Sequence, residues 1–326
     1  MKKLLFGVFA LATLTACNTT TDSTENIADL GNAKASRKYC PSEEIRTELL
    51  KNDASAKARY AALEAGTEKF IQARKAGRVL ADGTIEIPVV FNVLYRTTAE
   101  NISDARLAEQ IDVLNKDFGA TNSDINKIPS EFSTVAAGDT KIKFRLVKTV
   151  RKSTTVRSWK TNDAMKKSSS KGIDATDPKQ YFNIWVVGDM SSILGYATFP
   201  ESAGLWNDGV VLASKYTGVT GATAPYNLGR TATHEVGHYL NLRHIWGDAT
   251  CGNDFVADTP TQTGSNGGSP TYPLYNTCGG VQRSVMFMNY MDYVYDSAMF
   301  MFSAGQRDRM QAIVAAGGVR AGLRNL

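Results

Sequence analysis

Histidine is nearly missing from this sequence: three occur among 326 residues, all between positions 234 and 244. Any chemistry that needs imidazole must therefore be done in one short segment. Long apolar runs are missing beyond the N-terminal 16 residues, and none later approaches the roughly 20 residues that a membrane span needs. A one-sided charge is missing too. Lysine and arginine total 37 against 32 acids, and setting aside Lys2 and Lys3 leaves 35 against 32. So small a surplus argues against nucleic acid as a partner, which calls for a clearly basic face. At 43% hydrophobic and 21% charged, the chain is too apolar to stay disordered and too charged for a polytopic membrane protein. Glutamate stops at Glu235.

What is present begins with an export signal. Met1-Lys2-Lys3 precedes an apolar run, Leu4 to Leu14, of signal-peptide rather than membrane-span length. It ends in Leu14-Thr15-Ala16-Cys17, which resembles the bacterial lipobox; a plain secretory signal with an incidental cysteine is the alternative. On the lipobox reading residues 1–17 are a lipoprotein signal peptide and Cys17 carries the lipid. Two acyl chains suffice for stable anchoring, the only membrane contact expected. Cys40, Cys251 and Cys278 remain, an odd set for an oxidising compartment. Cys251 and Cys278 bracket a Gly/Ser/Pro/Thr-rich loop with little core of its own, and a disulfide there would contribute roughly 3–4 kcal/mol. Cys40 is then left unpaired.

Residues 18–36 read as a flexible tether. Residues 42–76 are helical in pattern, highly charged and sparsely apolar. Ala81-Asp82-Gly83 supplies a turn, and Ile85–Tyr95 reads as the first strand of a core domain, with Pro88 favouring a sheet edge or the strand's first residues. Leu107, Ile111, Leu114 and Phe118 make residues 103–118 an amphipathic helix. Lys141–Val150, Tyr181–Val187, Leu194–Phe199 and Gly209–Ala213 are strand candidates. Ser158–Lys179, with Lys166, Lys167 and Lys171, reads as a solvated loop. After residue 245 patterning fades until a terminal helix over 304–316. The domains expected are thus the signal, a tether with prosegment over 18–84, and a catalytic domain over 85–326.

Thr233-His234-Glu235-Val236-Gly237-His238-Tyr239-Leu240-Asn241-Leu242-Arg243-His244 carries the chemistry. Histidines at i and i+4 share one helix face and can share Zn²⁺. Glu235 is placed to meet metal-bound water. Asn241 stands where the chain must reverse to bring in His244, and asparagine tolerates the left-handed conformation that a reversal needs. Three protein ligands leave one position open, as catalytic rather than structural zinc requires.

His234 to His244 resembles the extended metzincin motif HExxHxxGxxH, with Asn241 in place of the glycine. The surrounding sequence is similar to pappalysin-type metallopeptidases over about residues 85–316, through Asn183-Ile184-Trp185-Val186, Leu194-Gly195-Tyr196-Ala197, His244-Ile245-Trp246-Gly247-Asp248, Asp258-Thr259-Pro260 and Met288-Asn289-Tyr290-Met291-Asp292-Tyr293. The resemblance implies an α+β, metzincin-like domain with a twisted mixed sheet, an active-site helix and an irregular C-terminal subdomain. It implies a zinc endopeptidase acting on proteins or peptides, with extended substrate antiparallel to an edge strand, here Leu194–Phe199.

The resemblance also assigns roles. Met291 is implied as the floor beneath the imidazoles, Tyr293 as the residue that stabilises the oxyanion, and Cys251–Cys278 as a disulfide. Asp254, the Val256 carbonyl and Thr259 resemble a calcium site, a solvated acidic turn being the alternative. Asp296 falls where the S1′ pocket is shaped and would favour Arg or Lys after the scissile bond; a surface or capping aspartate is the alternative. Cys40 is implied as a prosegment thiolate on the fourth zinc position, although Arg37-Lys38-Tyr39-Cys40-Pro41 lacks the glycine expected after such a cysteine. Activation cleavage would fall in the basic stretch from Lys57 to Arg78. Two other functions stand beside this one: a surface binding lipoprotein that keeps zinc for structure alone, and a zinc amidase for cell-wall peptides.

Overall fold

The computed structural model describes residues 39–77 and 83–324. The expected signal peptide with Cys17, the expected tether over 18–36 and Ala81-Asp82 of the expected turn lie outside them. No helix among the described residues is long and apolar enough to cross a membrane.

Two helices open the described chain, α1 (Ser42–Asn52) and α2 (Ala54–Lys75). Asp53 separates them. Its extended backbone breaks the first helix, and its carboxylate caps the second by accepting from Ser55 N and Ala56 N at 2.8 and 3.0 Å. Next come β1 (Ile85–Tyr95) and α3 (Asp104–Phe118), the latter started by Ser103, whose hydroxyl accepts from Arg106 N. The apolar stripe of α3, Leu107, Ile111, Leu114 and Phe118, is buried as its periodicity predicts. The strands β2 (Ile142–Ser153), β3 (Phe182–Val187), β4 (Gly195–Ala197) and β5 (Val210–Ala213) complete a sheet of order β2-β1-β3-β5-β4. All its pairs are parallel except β4 with β5, so the antiparallel β4 is an edge.

Helices α4 (Arg230–Tyr239) and α5 (Ala304–Val314) follow. Between them the chain is mostly irregular, apart from a short parallel pairing of Gly267–Gly268 with Tyr293–Val294 and a small hairpin, β6 (Tyr275–Cys278) with β7 (Val281–Ser284). Side chains of β3 divide between two cores. Phe182, Ile184 and Val186 join the larger one with α3, α4 and residues 285–302, while Trp185 and Val187 face a smaller one.

One expectation is met and one needs correction in part. β1 is central in the sheet, and Pro88 falls among its first residues, one of the two places expected for it. Pro88 is tolerated because β3 pairs only from Val89 onward, leaving the first four residues of β1 paired on one side. Within 158–179, Lys167 and Lys171 are exposed as expected, but Lys166 and an apolar set are not. Trp159, Met165 and Ile173 cover the second face of the sheet, and Lys166 is buried among them. Its ammonium donates to Asn207 O at 2.8 Å, lies 3.0 Å from Asp163, and sits 5.2 and 5.1 Å from the Trp185 and Tyr196 rings.

Candidate active site

Helix α4 is buried along its whole length, so its polar side chains need fixed partners. Arg230 at its start makes two hydrogen bonds of 2.6 Å to Asp124. Asp117, at the end of α3, accepts from Thr233 Oγ1 at 2.7 Å and Tyr290 OH at 2.8 Å. One buried carboxylate thereby ties α3, α4 and the turn before Met291 into a single frame.

The helix ends as the sequence predicts. Asn241 adopts φ 76°, and Leu242 N donates back to Gly237 O at 2.9 Å, a Schellman-type reversal. The reversal carries His244 back over the helix. His238 Nε2 then lies 3.1 Å from both His234 Nε2 and His244 Nε2. Each remaining ring nitrogen faces a fixed oxygen: Tyr290 O at 2.7 Å for His234, Leu242 O at 2.8 Å for His238, and Asp248 Oδ1 at 2.6 Å for His244. Nδ1–H donors held in this way turn all three Nε2 lone pairs to a common point.

Burial pushes the His234 imidazolium down to about 3 and His238 well down, with neighbouring imidazoles adding to it. For His244 burial also acts downward, but the Asp248 carboxylate outweighs it and raises the value. Three imidazoles whose Nε2 atoms converge in this way are a donor set that Zn²⁺ takes. The Cys40 thiol belongs to the same cluster, its Sγ and the three imidazoles offering ligand atoms within 4.8 Å of one another.

Met291 is fully buried beneath this cluster, so close that a Cβ on Gly237 would stand 2.4 Å from its sulfur. The glycine inside the motif is thus a packing requirement of the Met291 floor. Trp246 stacks on His244 at 4.4 Å, and the Tyr293 ring lies 4.8 Å from His244. Glu235 projects into the cleft, where burial pushes its carboxyl up to about 7 against hydrogen bonds from Cys40 and Ser42 that pull it down. A carboxyl at that place is in reach to accept and return a proton.

The N-terminal segment occupies the cleft. Tyr39 pairs with Ile193 in the parallel sense, through Tyr39 N to Ser192 O and Leu194 N to Tyr39 O, both 3.3 Å. Cys40 Sγ lies 3.2 Å from Glu235 Oε2, and the Ser42 hydroxyl donates to that same oxygen at 3.1 Å while accepting from Ala197 N at 2.8 Å. Tyr293 OH donates to Cys40 O at 2.6 Å. Beside the histidines, a small, partly open cavity of about 30 Å³ is lined by Leu194, Tyr226, Thr231, His234, Val294 and Asp296. Asp296 is buried, not a surface residue, and its Oδ2 accepts from Leu228 N at 2.8 Å and Arg230 N at 3.2 Å.

The disulfide expected between Cys251 and Cys278 is present, with Cα atoms 5.7 Å apart. Asp254, Val256 and Thr259 also come together: Thr259 Oγ1 donates to Asp254 Oδ2 at 2.8 Å and lies 3.0 Å from Val256 O. Cys17 alone of the expected site residues falls outside the described chain. Sequence reasoning missed Asp248, Asp117 and Ser42 as site residues. Asp248 stands four residues beyond His244, a spacing that could have suggested it; Asp117 and Ser42 carry no local signal.

A sheet with an antiparallel edge, a helix bearing two metal-facing histidines, a reversal to a third and a methionine floor define a metzincin metallopeptidase. The chain belongs to the pappalysin family. Residues 166–315 match the family Peptidase_M43, described as Pregnancy-associated plasma protein-A. An extracellular metalloprotease 1 of Coccidioides posadasii is 34% identical over 242 residues, covering 70% of this chain and 76% of that protein. Mature mirolysin of Tannerella forsythia, solved with a cleaved peptide, is 42% identical with a TM-score of 0.72, covering 74% of this chain and 96% of the other. A promirolysin mutant from the same organism reaches a TM-score of 0.80 at 38% identity, covering 88% and 97%. The protein is a metalloendopeptidase.

Proposed function

We propose that this protein is an exported zinc endopeptidase, made as a latent precursor and tethered to the cell envelope through Cys17. The observation that carries the reading is the pairing of a buried Glu235 beside three convergent imidazoles with a Tyr293 hydroxyl bound to a peptide carbonyl. His234, His238 and His244 would hold zinc, which when bound would supply Lewis acidity toward water and the substrate carbonyl. Glu235 takes the proton from the attacking water and returns it to the leaving amine. Tyr293 donates to the developing oxyanion, as its hydroxyl donates to Cys40 O in the precursor. Substrate adds to the free edge of β4 in the antiparallel sense.

Latency follows from what fills the cleft. Burial and the Glu235 charge push the Cys40 thiol well up, so a thiolate there requires a cation beside it, which the three-histidine site supplies when loaded. Ser42 meanwhile occupies the hydrogen-bonding oxygen of Glu235. Cleavage within the basic stretch from Lys57 to Arg78 releases both. Asp296, at the wall of the cavity next to His234, favours Arg or Lys just after the scissile bond through a charge-assisted pair. Asp254, Thr259 and the Val256 carbonyl form a hard-oxygen set suited to Ca²⁺, and burial pushes the Asp254 carboxyl up to about 6, a cost that a bound cation relieves.

The test is residues 18–326 prepared with and without Glu235→Ala, incubated with zinc and calcium and followed by intact mass. Loss of the prosegment only when Glu235 is present is the expected result, with cuts ahead of Arg or Lys. Both forms staying whole, with casein also uncleaved by the separately trimmed enzyme, would sink the peptidase reading.

A further inference from the structure

Two arginines of the N-terminal helices converge on one residue of the catalytic domain. Arg46 Nε donates to Glu201 Oε1 at 3.0 Å, with both side chains no more than 2% exposed, and Arg59 Nε donates to Glu201 O at 2.7 Å. The Arg46 guanidinium lies 4.1 Å from the centre of the Phe199 ring, which in turn sits 5.1 Å from the His238 ring. A cation is therefore held on an aromatic surface that abuts a metal-facing imidazole, with a buried carboxylate at its margin.

The seat is only partly used. Among the described residues Glu201 Oε2 makes no hydrogen bond, and neither terminal nitrogen of Arg46 makes one, Nη1 merely approaching Glu43 Oε1 at 3.5 Å. Arg320, whose charge also reaches Glu201, is committed to Asp208 and to Tyr239 O. Once α1 and α2 leave, the Glu201 carboxylate loses its Arg46 partner and the Phe199 face is uncovered. The uncovered carboxylate then has no partner at the oxygen that Arg46 held, and a guanidinium or ammonium arriving with substrate can restore the pair.

Chain direction places this seat relative to the bond that is cut. The N-terminal segment runs along β4 in the parallel sense, with Tyr39 at Ile193, Ser42 at Ala197 and Arg46 at Glu201. An antiparallel substrate meets the same points in reverse order. It reaches Phe199 and Glu201 before the metal site and the Asp296 cavity after it.

We infer that Glu201 and Phe199 form a cation-binding subsite for substrate residues that precede the scissile bond, filled by Arg46 in the precursor and by Arg or Lys of the substrate in the mature enzyme. The inference rests on the peptidase reading and extends it to a second specificity element across the cleft from Asp296.

The experiment uses trimmed enzyme loaded with zinc and a peptide series with Arg fixed after the scissile bond. Arg or Leu is placed in turn at each of the three positions before that bond. Wild type is expected to cleave the Arg peptide about tenfold faster in kcat/KM at one of those positions, and Glu201→Gln to bring that ratio close to one. Because Glu201→Gln could disturb the fold, a second measurement keeps wild-type enzyme and varies the ligand. A peptide of residues 39–52 should inhibit about tenfold better than its Arg46→Leu form. Equal cleavage of Arg and Leu peptides at all three positions, equal inhibition by the two peptides, or a preference that survives in a folded Glu201→Gln enzyme would overturn the subsite. Failure of wild type to cleave any peptide would instead remove the peptidase reading, and this inference with it.

Discussion

Asp248, whose only signal in the sequence is its place four residues beyond His244, fixes the ring of that histidine with a carboxylate 2.6 Å away. Removing it leaves an imidazole free to turn its nitrogens away from the common point. Asp248→Ala is therefore expected to weaken metal affinity about 10–100-fold, measured by chelator competition, while leaving the fold's melting transition nearly in place. Asp296 shows a different residue-scale effect. Burial raises its carboxyl to about 6, against hydrogen bonds from Leu228 N and Arg230 N. A carboxyl raised in the folded state adds stability below the unfolded value near ~3.9, and that stability is lost as pH rises through the folded value. Wild type should lose up to about 3 kcal/mol between about pH 4 and 6 relative to Asp296→Asn, whose side chain does not ionise. Denaturant titrations of both proteins across that range check it. Asp254 titrates in the same window, so the difference between the two proteins is the quantity to read, and parallel curves would refute it.

At the scale of elements, periodic segments were legible and unpatterned ones were not. The stripe of α3, the β1 run and the short apolar β3 carry enough periodicity to be read directly, because each buries one face or both. The catalytic reversal was legible as well, since few residues besides asparagine and glycine accept φ 76°. Within residues 158–179, Lys166 and the buried apolar set were misjudged for the opposite reason. The polar composition of the stretch hides Trp159, Met165 and Ile173, and a lysine gives no sign that two aromatic rings and an aspartate enclose it. The loop over 254–259 makes an element-scale prediction. If its oxygens hold calcium, the cation binds the folded state only, and at a hundred times its dissociation constant it adds about 2.7 kcal/mol of stability. Thermal unfolding with calcium and then with a calcium-selective chelator should show the gain, and Asp254→Asn should abolish it. Identical curves with and without calcium would return the loop to a plain acidic turn.

Seen over the whole molecule, the N-terminal helices could be read as helices but not as occupants of the cleft, because their contacts lie far away in sequence. Glu64 on α2 makes bonds of 2.9 and 3.1 Å to Arg309 on α5, and Tyr60 OH accepts from Arg243 at 2.6 Å, just before the third histidine. These contacts grip the reversal at Asn241 from outside, while Cys40 and Ser42 reach the metal face and Glu235 from within. Inhibition should therefore be shared. On the proposed latency, Cys40→Ala removes the thiol that would compete at the metal but leaves the outer contacts and Ser42 in place, so the precursor should process itself faster without becoming fully active. Glu64→Ala strips a partly buried partner from Arg309, and should loosen the segment by a comparable tenfold or more. The double variant should lose more than either single one, since the two contacts lie on separate elements with no shared partner. Rates of prosegment loss in the wild type, the two single variants and the double variant, at several protein concentrations, provide the measurement. If Cys40→Ala alone gave full activity, the thiolate would be the whole of the latency and the outer grip only a structural contact.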